Sequence, residues 1–426
     1  MKLWNKDGNI DRSIEAFTIG DDPVYDMILA PYDVIGSLAH AKMLHKIGYL
    51  TKQEHDDLKG GLELILQDIE SGQFKIEEGV EDIHSQVEFI LIERLGEVGK
   101  KLHLGRSRND QIALDLKLYY KEVLSEIYSG VNDIILLFIE KAESTSHLLM
   151  PGYTHSQAGM VSSFGLWYSS FAESLIDDLR LLKGVIDIVD QNPLGSAAGY
   201  GSSLPNDREF TTDELGFKEL LINSIYAQAS RGKAELNIGF AINNLSITIN
   251  RLASDICLYS NENYNFLKLP DVLTTGSSIM PHKKNPDVME LIRAKCNQLS
   301  ALPVRINLLL SNMQTGYHRD YQLLKEIMFP ELEKIKHILE IIKFCIPQIV
   351  EGEGILNDPK YKYCFTVENI NEKVKEGTTF RDAYHAVKKE VESGKFTPIN
   401  EHPDHSHLGS IGNLGLDKLR AKLQRV

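Results

Sequence analysis

The chain has 426 residues, 42% hydrophobic and 25% charged, the balance of an ordinary soluble protein long enough for two or three domains. Its formal charge of -14 argues against a general nucleic-acid binder, which would carry a basic face, but allows anionic small ligands wherever a pocket is locally positive. The sequence shows neither a long uncharged apolar run nor, in MKLWNKDGNIDRS, the apolar core of a signal peptide, so the expectation is a cytoplasmic protein with no membrane segment. Cys257, Cys296, Cys345 and Cys364 are scattered without CxxC spacing, which suggests reduced, mostly buried thiols rather than disulfides or a thiolate metal site.

In chain order, DMILAPYDVIGSLAHAKMLHKIGYL predicts a helix from about Tyr32 to Ile47, stopped by Gly48. Leu62, Ile65, Leu66 and Ile69 follow the i, i+3, i+4, i+7 pattern of an amphipathic helix. The loop HLGRSRND, His103 to Asp110, places Arg106 and Arg108 about Ser107, two guanidiniums suited to bidentate capture of carboxylates.

Apolar residues then recur every three or four positions from Gln111 to about Ser144, with Ile112, Leu116, Tyr119, Val123 and Ile127 among them. Comparable runs occupy Phe164 to Val189, Ile238 to Tyr259 and Val288 to Met313. Four long helices with narrow apolar seams predict an all-α bundle in the middle of the chain. Roughly thirty residues at 1.5 Å each give helices of about 45 Å, which can bury their seams by pairing between subunits.

Other segments carry candidate chemistry. PGYTHSQ, Pro151 to Gln157, sets Thr154 and His155 ahead of the second long helix. Gly195, Gly199 and Gly201 lack the spacing and the preceding strand of a dinucleotide loop. Tyr317, Gln322 and Lys325 lie on GYHRDYQLLKE, read as a short polar segment. The tail residues His402, Asp404, His405 and His407 have a spacing open to zinc but read as solvated, and no metal is expected.

The densest signal is GSSIMPHKKNPDVME, Gly276 to Glu290. Glycine and two serines have the composition of a mobile loop, and Asn285-Pro286 reads as an N-cap followed by proline at the first helical position. A helix start beside Lys283 and Lys284 predicts an anion site.

This string resembles the signature of the fumarase/aspartase superfamily, and HLGRSRNDQ closely resembles the matching loop of argininosuccinate lyases. Adenylosuccinate lyase, another member of the superfamily, differs at that loop. The resemblance implies an all-α chain of three domains, 1–105, 106–352 and 353–426, whose central long-helix bundle builds the core of a homotetramer with active sites shared between chains. It implies reversible β-elimination of argininosuccinate to arginine and fumarate, with no redox cofactor or nucleotide. By match to the family's motifs, Ser277 is the base, Lys283 supplies positive charge, and His155 paired with Glu290 is the acid or relay. Ser37, Arg108, Asn109, Thr154, Asn285, Tyr317, Gln322 and Lys325 are the implied substrate contacts. Gly232, in SRGK, stands where the family usually has an acidic residue, which bears on how Arg231 is positioned. A non-catalytic relative of the lens-crystallin kind is the alternative of another class, against which the intact Ser277, Lys283, Asn285, His155 and Glu290 speak.

Overall fold

The computed structural model describes residues 12–77, 79–399, 403 and 405–426. Its chain divides into two compact units, residues 1–127, 181–243 and 301–335 in the first and 128–180, 244–300 and 336–426 in the second. The division cuts four long helices, α5 (Arg108–Ser144), α6 (Phe164–Val189), α9 (Lys233–Tyr259) and α12 (Leu323–Cys345).

The first unit opens with α1 (Arg12–Ile19), α2 (Asp22–Lys46), α3 (Lys52–Glu70) and α4 (Ile83–Leu95). α2 begins ten residues before the predicted Tyr32 and continues through Pro31. It is buried on several sides, and Asp26, Leu29, Asp33, Val34, Ser37 and His40 all lie within. α3 starts at a capping box in which the Glu54 backbone N–H donates to Thr51 Oγ1 and the Thr51 N–H to Glu54 Oε2. The core here is Leu44, Leu58, Leu62, Ile65, Ile83 and Leu91, each excluded from solvent. Short helices α7 (Arg208–Glu214) and α8 (Ser224–Ala229) and a two-residue parallel ladder, β3 (Gln191–Asn192) with β4 (Glu219–Leu220), complete it with α11 (Leu302–Leu309).

The second unit holds an antiparallel hairpin, β1 (Leu149–Thr154) with β2 (Gln157–Ser163), and two small ladders. These are β5 (Leu267–Lys268) with β8 (Val350–Glu351), and β6 (Thr275–Gly276) with β7 (Lys284–Asn285). Helices α10 (Asp287–Leu299), α13 (Thr366–Lys375), α14 (Phe380–Glu392) and α15 (Leu416–Gln424) also belong to it. His402 and Asp404 lie outside the described residues, while His405 Nε2 bonds Glu368 Oε1 at 3.0 Å. Cys296, Cys345 and Cys364 are free and buried, and Cys257 is free and half-buried.

The helical fold class holds, with three corrections in detail. The fourth apolar run is two helices, because α10 ends at Leu299 and α11 restarts with Pro303 in its first turn. α12 is a further long helix where the sequence predicts a short polar segment: Lys325 and Glu326 are the polar part of its first turn, and Leu324, Met328, Leu332 and Ile335 are buried along it. The Thr154–His155 pair sits on a hairpin rather than a loop before a helix.

Candidate active site

In the first unit the arginine loop feeds directly into α5, and Asp110 fixes its shape. One Asp110 oxygen accepts the Ser107 N–H at 2.8 Å, and the other accepts those of Gly195 and Ala197 at 3.0 and 2.8 Å. Burial raises the Asp110 carboxyl to about 6 against the pull of these bonds and of Arg106. Arg106 turns inward and donates to Ser37 Oγ at 2.9 Å. Arg108 turns the other way, toward the start of α4, where it donates to Ser85 Oγ at 2.7 Å and lies 3.2 Å from Asp82 and 3.4 Å from Glu81. Asp82 caps α4 through the Ser85 N–H. Burial would raise the Asp82 carboxyl, but His84, Arg108 and Ser85 hold it below the ordinary carboxylate range.

From the other side come Tyr317 and the first turn of α12. Lys325 Nζ, almost fully buried, lies 2.6 Å from carboxylate oxygens of both Asp22 and Asp26. Gln322 donates to the carbonyls of Thr18 and Ile19 at 3.1 and 3.0 Å, tying α12 to the end of α1. Arg231 donates to the Tyr321 carbonyl at 3.1 Å, with its guanidinium 5.9 Å from the Tyr317 ring. Gly232 follows it with φ +77°, and a Cβ there would meet Leu310 Cδ2 at 2.2 Å. The local backbone therefore demands glycine, whatever its effect on substrate.

These residues line an open cavity of about 200 Å³. Among the residues foreseen from sequence, Arg108, Asn109, Tyr317, Gln322 and Lys325 line it. Ser37 does not; it borders a separate space of about 10 Å³ and is held by Arg106. Sequence reasoning missed Asp22, Asp26, Glu81, Asp82, His84 and Arg319 in the wall of the larger cavity. The signal for part of this set was EDIH at a helix start, acidic residues before the α4 seam. Four carboxylates facing Arg108, Arg231, Arg319 and Lys325 suit a ligand that carries both carboxylates and a cationic nitrogen.

The second unit carries the other candidates. Thr154, His155 and Ser156 form the tip of the β1–β2 hairpin, with His155 and Ser156 left-handed at φ 52° and 59°. Thr154 and His155 are exposed. The segment from Ser277 to Lys283 is a loop closed at its base by β6 and β7, where Thr275 pairs with Asn285 and Gly276 with Lys284. Asn285 is thus a ladder residue, not the expected cap, and Pro286 precedes α10. Thr275 bonds Asp287, and Lys284 pairs with Asp271. Ser277 Oγ accepts the backbone N–H groups of Met280 at 3.1 Å and Ile279 at 3.4 Å. Lys283 and Glu290 are exposed, and among the described residues no hydrogen bond or ion pair joins Glu290 to His155.

Residues 6–301 match the lyase family, a span well over half of the chain. Helical architecture of this kind recurs in solved structures, among them EDDS lyase in complex with formate (TM-score 0.78, 22% identity, 96% of this chain and 90% of that one). A fumarate lyase:delta crystallin from Brucella melitensis is similar at TM-score 0.74 and 17% identity, over 97% and 94% of the two chains. Sequence similarity is far higher to the argininosuccinate lyase of Bacteroides thetaiotaomicron, 49% identical over all of this chain and 95% of the relative. The argininosuccinate lyase of Thermotoga neapolitana is 41% identical over 91% of this chain and 97% of its own length. The chain belongs to the argininosuccinate lyase family and is a lyase.

Proposed function

We propose that this protein splits argininosuccinate into arginine and fumarate, as a cytoplasmic step of arginine biosynthesis. The observation that carries the reading is the mixed-charge cavity of the first unit, where Lys325, Arg108 and Asn109 meet four carboxylates. Such a lining matches an amino-acid end with one carboxylate, one ammonium and a guanidinium.

A base removes a proton from the carbon next to a succinyl carboxylate, giving an enediolate. The carbon–nitrogen bond then breaks, its electron pair leaves with the guanidino nitrogen, and that nitrogen takes a proton. Ser277 is the proposed base. Its oxygen already accepts two backbone N–H groups, donors that stabilise an alkoxide more than a hydroxyl, and Lys283 adds charge nearby in sequence. Asn285 and Thr154 hold the succinyl end, His155 oriented by Glu290 supplies the leaving-group proton, and Tyr317, Gln322 and Lys325 hold the arginine end. Ser37 acts from beneath the loop by fixing Arg106.

Ser277 is half-buried and His155 exposed in a single chain, whereas a serine base needs water excluded. We therefore read the working form as a homotetramer whose copies complete one another's sites. Exposed Phe240 and Ile247, seven residues apart on α9, and Val304 and Leu308 on α11 support self-association. The segments 1–105, 106–352 and 353–426 are the proposed domains of that assembly.

The test offers the purified protein argininosuccinate, adenylosuccinate, malate and aspartate separately and follows fumarate by ultraviolet absorbance. Release from argininosuccinate is expected. Release from adenylosuccinate alone would reassign the substrate, and none from any would favour a structural, crystallin-like role.

A further inference from the structure

His84 is foreseen by no motif assigned above, yet it stands in the walls of both spaces described in the first unit, the 200 Å³ cavity and the 10 Å³ one. Its ring is buried on the first turn of α4. Nδ1 lies 2.8 Å from Asp33 Oδ1 and 3.8 Å from Asp115 Oδ2. Nε2 makes no hydrogen bond to any described residue, and it is not among the enclosed polar atoms that lack a partner, so it opens onto space the ring borders.

We propose that His84 is a substrate-binding residue, its Nε2–H donating to a carboxylate of the ligand in the larger cavity while Asp33 holds Nδ1. The ligand class rests on the lyase reading; the donor itself does not. The smaller space has room for about one water, so a carboxylate can reach the ring only from the larger side.

The charges around the ring support a donor at both nitrogens. Facing it are Asp33 from α2, Asp115 and Arg108 from α5, Asp82 before α4, and His103 and Arg106 from the segment between. Burial alone would lower the imidazole pKa, but the charge and hydrogen bond of Asp33, then Asp115 and Asp82, raise it to about 9. Burial and the neighbouring Asp33 charge push Asp115 well above the ordinary carboxylate range. Asp33, His84 and Asp115 also bring three possible metal-ligand atoms within 4.8 Å of one another. Nδ1, the ring atom on that side, is bonded to Asp33 Oδ1 at 2.8 Å, the contact that fixes the ring's orientation.

The test uses full-length protein with His84→Gln, which keeps a neutral N–H near Nε2, and His84→Phe, which keeps none. Inhibition of turnover by succinate, by arginine and by agmatine, the arginine analogue without a carboxylate, is measured for each. Loss of one charge-assisted bond should weaken at least one carboxylate probe roughly tenfold in the glutamine variant and further in the phenylalanine variant, with agmatine within about twofold. Equal weakening of all three probes, or of none, overturns the assignment. Should the variants fail to fold, the crystal structure of the unaltered protein with arginine and with succinate decides it. A carboxylate oxygen within about 3.2 Å of Nε2 is expected, and a ligand seated out of its reach overturns the proposal. Absence of turnover on argininosuccinate with a carboxylate still bound at Nε2 would sink the lyase reading alone.

Discussion

Lys325 and Asp26 form an ion pair at 2.6 Å with both side chains almost wholly withdrawn from solvent, across 299 residues of sequence. Asp22 shares the same ammonium at 2.6 Å, so one buried cation answers two carboxylates. Burial raises Asp22 above the ordinary carboxylate range even against the attraction of Lys325.

Lys325→Met should therefore cost stability as well as activity. Breaking a buried pair by removing one partner leaves uncompensated charge and costs about 3–5 kcal/mol. Thermal unfolding and kcat/KM should both fall. A stable variant with unchanged KM would show that Lys325 serves neither purpose.

Ser277→Ala tests the base directly. Turnover should drop roughly a hundredfold or more, while arginine binding stays near the parent value, because the proposed base acts on the succinyl carbon and not on the arginine end. Stopped-flow or steady-state assays decide it, and near-normal kcat would move the role to another group.

The pH dependence of stability has a definite sign. His84 has its folded pKa raised from about 6.5 to about 9, so its contribution is complete below pH 6.5 and is lost as pH rises through 9. Urea midpoints should accordingly decline between roughly pH 7 and 10. Asp33→Asn removes the main attraction on the ring and should flatten that part of the curve. An unaltered slope in the variant would contradict the coupling.

At Gly232 the backbone sets the rule. Gly232→Asp introduces an acidic side chain, but the left-handed φ of +77° and the 2.2 Å between a Cβ there and Leu310 Cδ2 make it strained. A loss of about 1–3 kcal/mol is expected in chemical denaturation, with KM rising as the adjacent Arg231 shifts. A stabilised variant would mean that the loop relaxes.

The proposed homotetramer is tested on α9. Phe240→Asp and Ile247→Asp replace exposed apolar side chains that line neither space of the first unit. Light scattering should show smaller species, with activity falling in step and helical circular dichroism retained. Full activity in a monomer would end the shared-site reading.

Local pattern was enough for the elements whose stability is itself periodic. The second long helix was legible from Phe164 to Val189 because its seam residues Phe164, Phe171, Leu175, Leu179 and Leu182 are all buried. The arginine loop and the Ser277 loop were legible as chemistry because cations and hydroxyls cluster there within a few residues. Asn285 was misplaced, since a ladder to Thr275 competes with capping and only the closed loop reveals it.

What the amino-acid sequence determined by itself is thus the helical period, the two loops and the family they mark. Tertiary structure alone decided that Asp22, Asp26, Glu81 and Asp82 share a cavity with Lys325 and Arg108, and that His84 is held by Asp33. The physical reason is range: periodicity and capping are satisfied within one or two turns, whereas a buried charge finds its partner wherever the fold brings one, here from helices at opposite ends of the first unit's sequence.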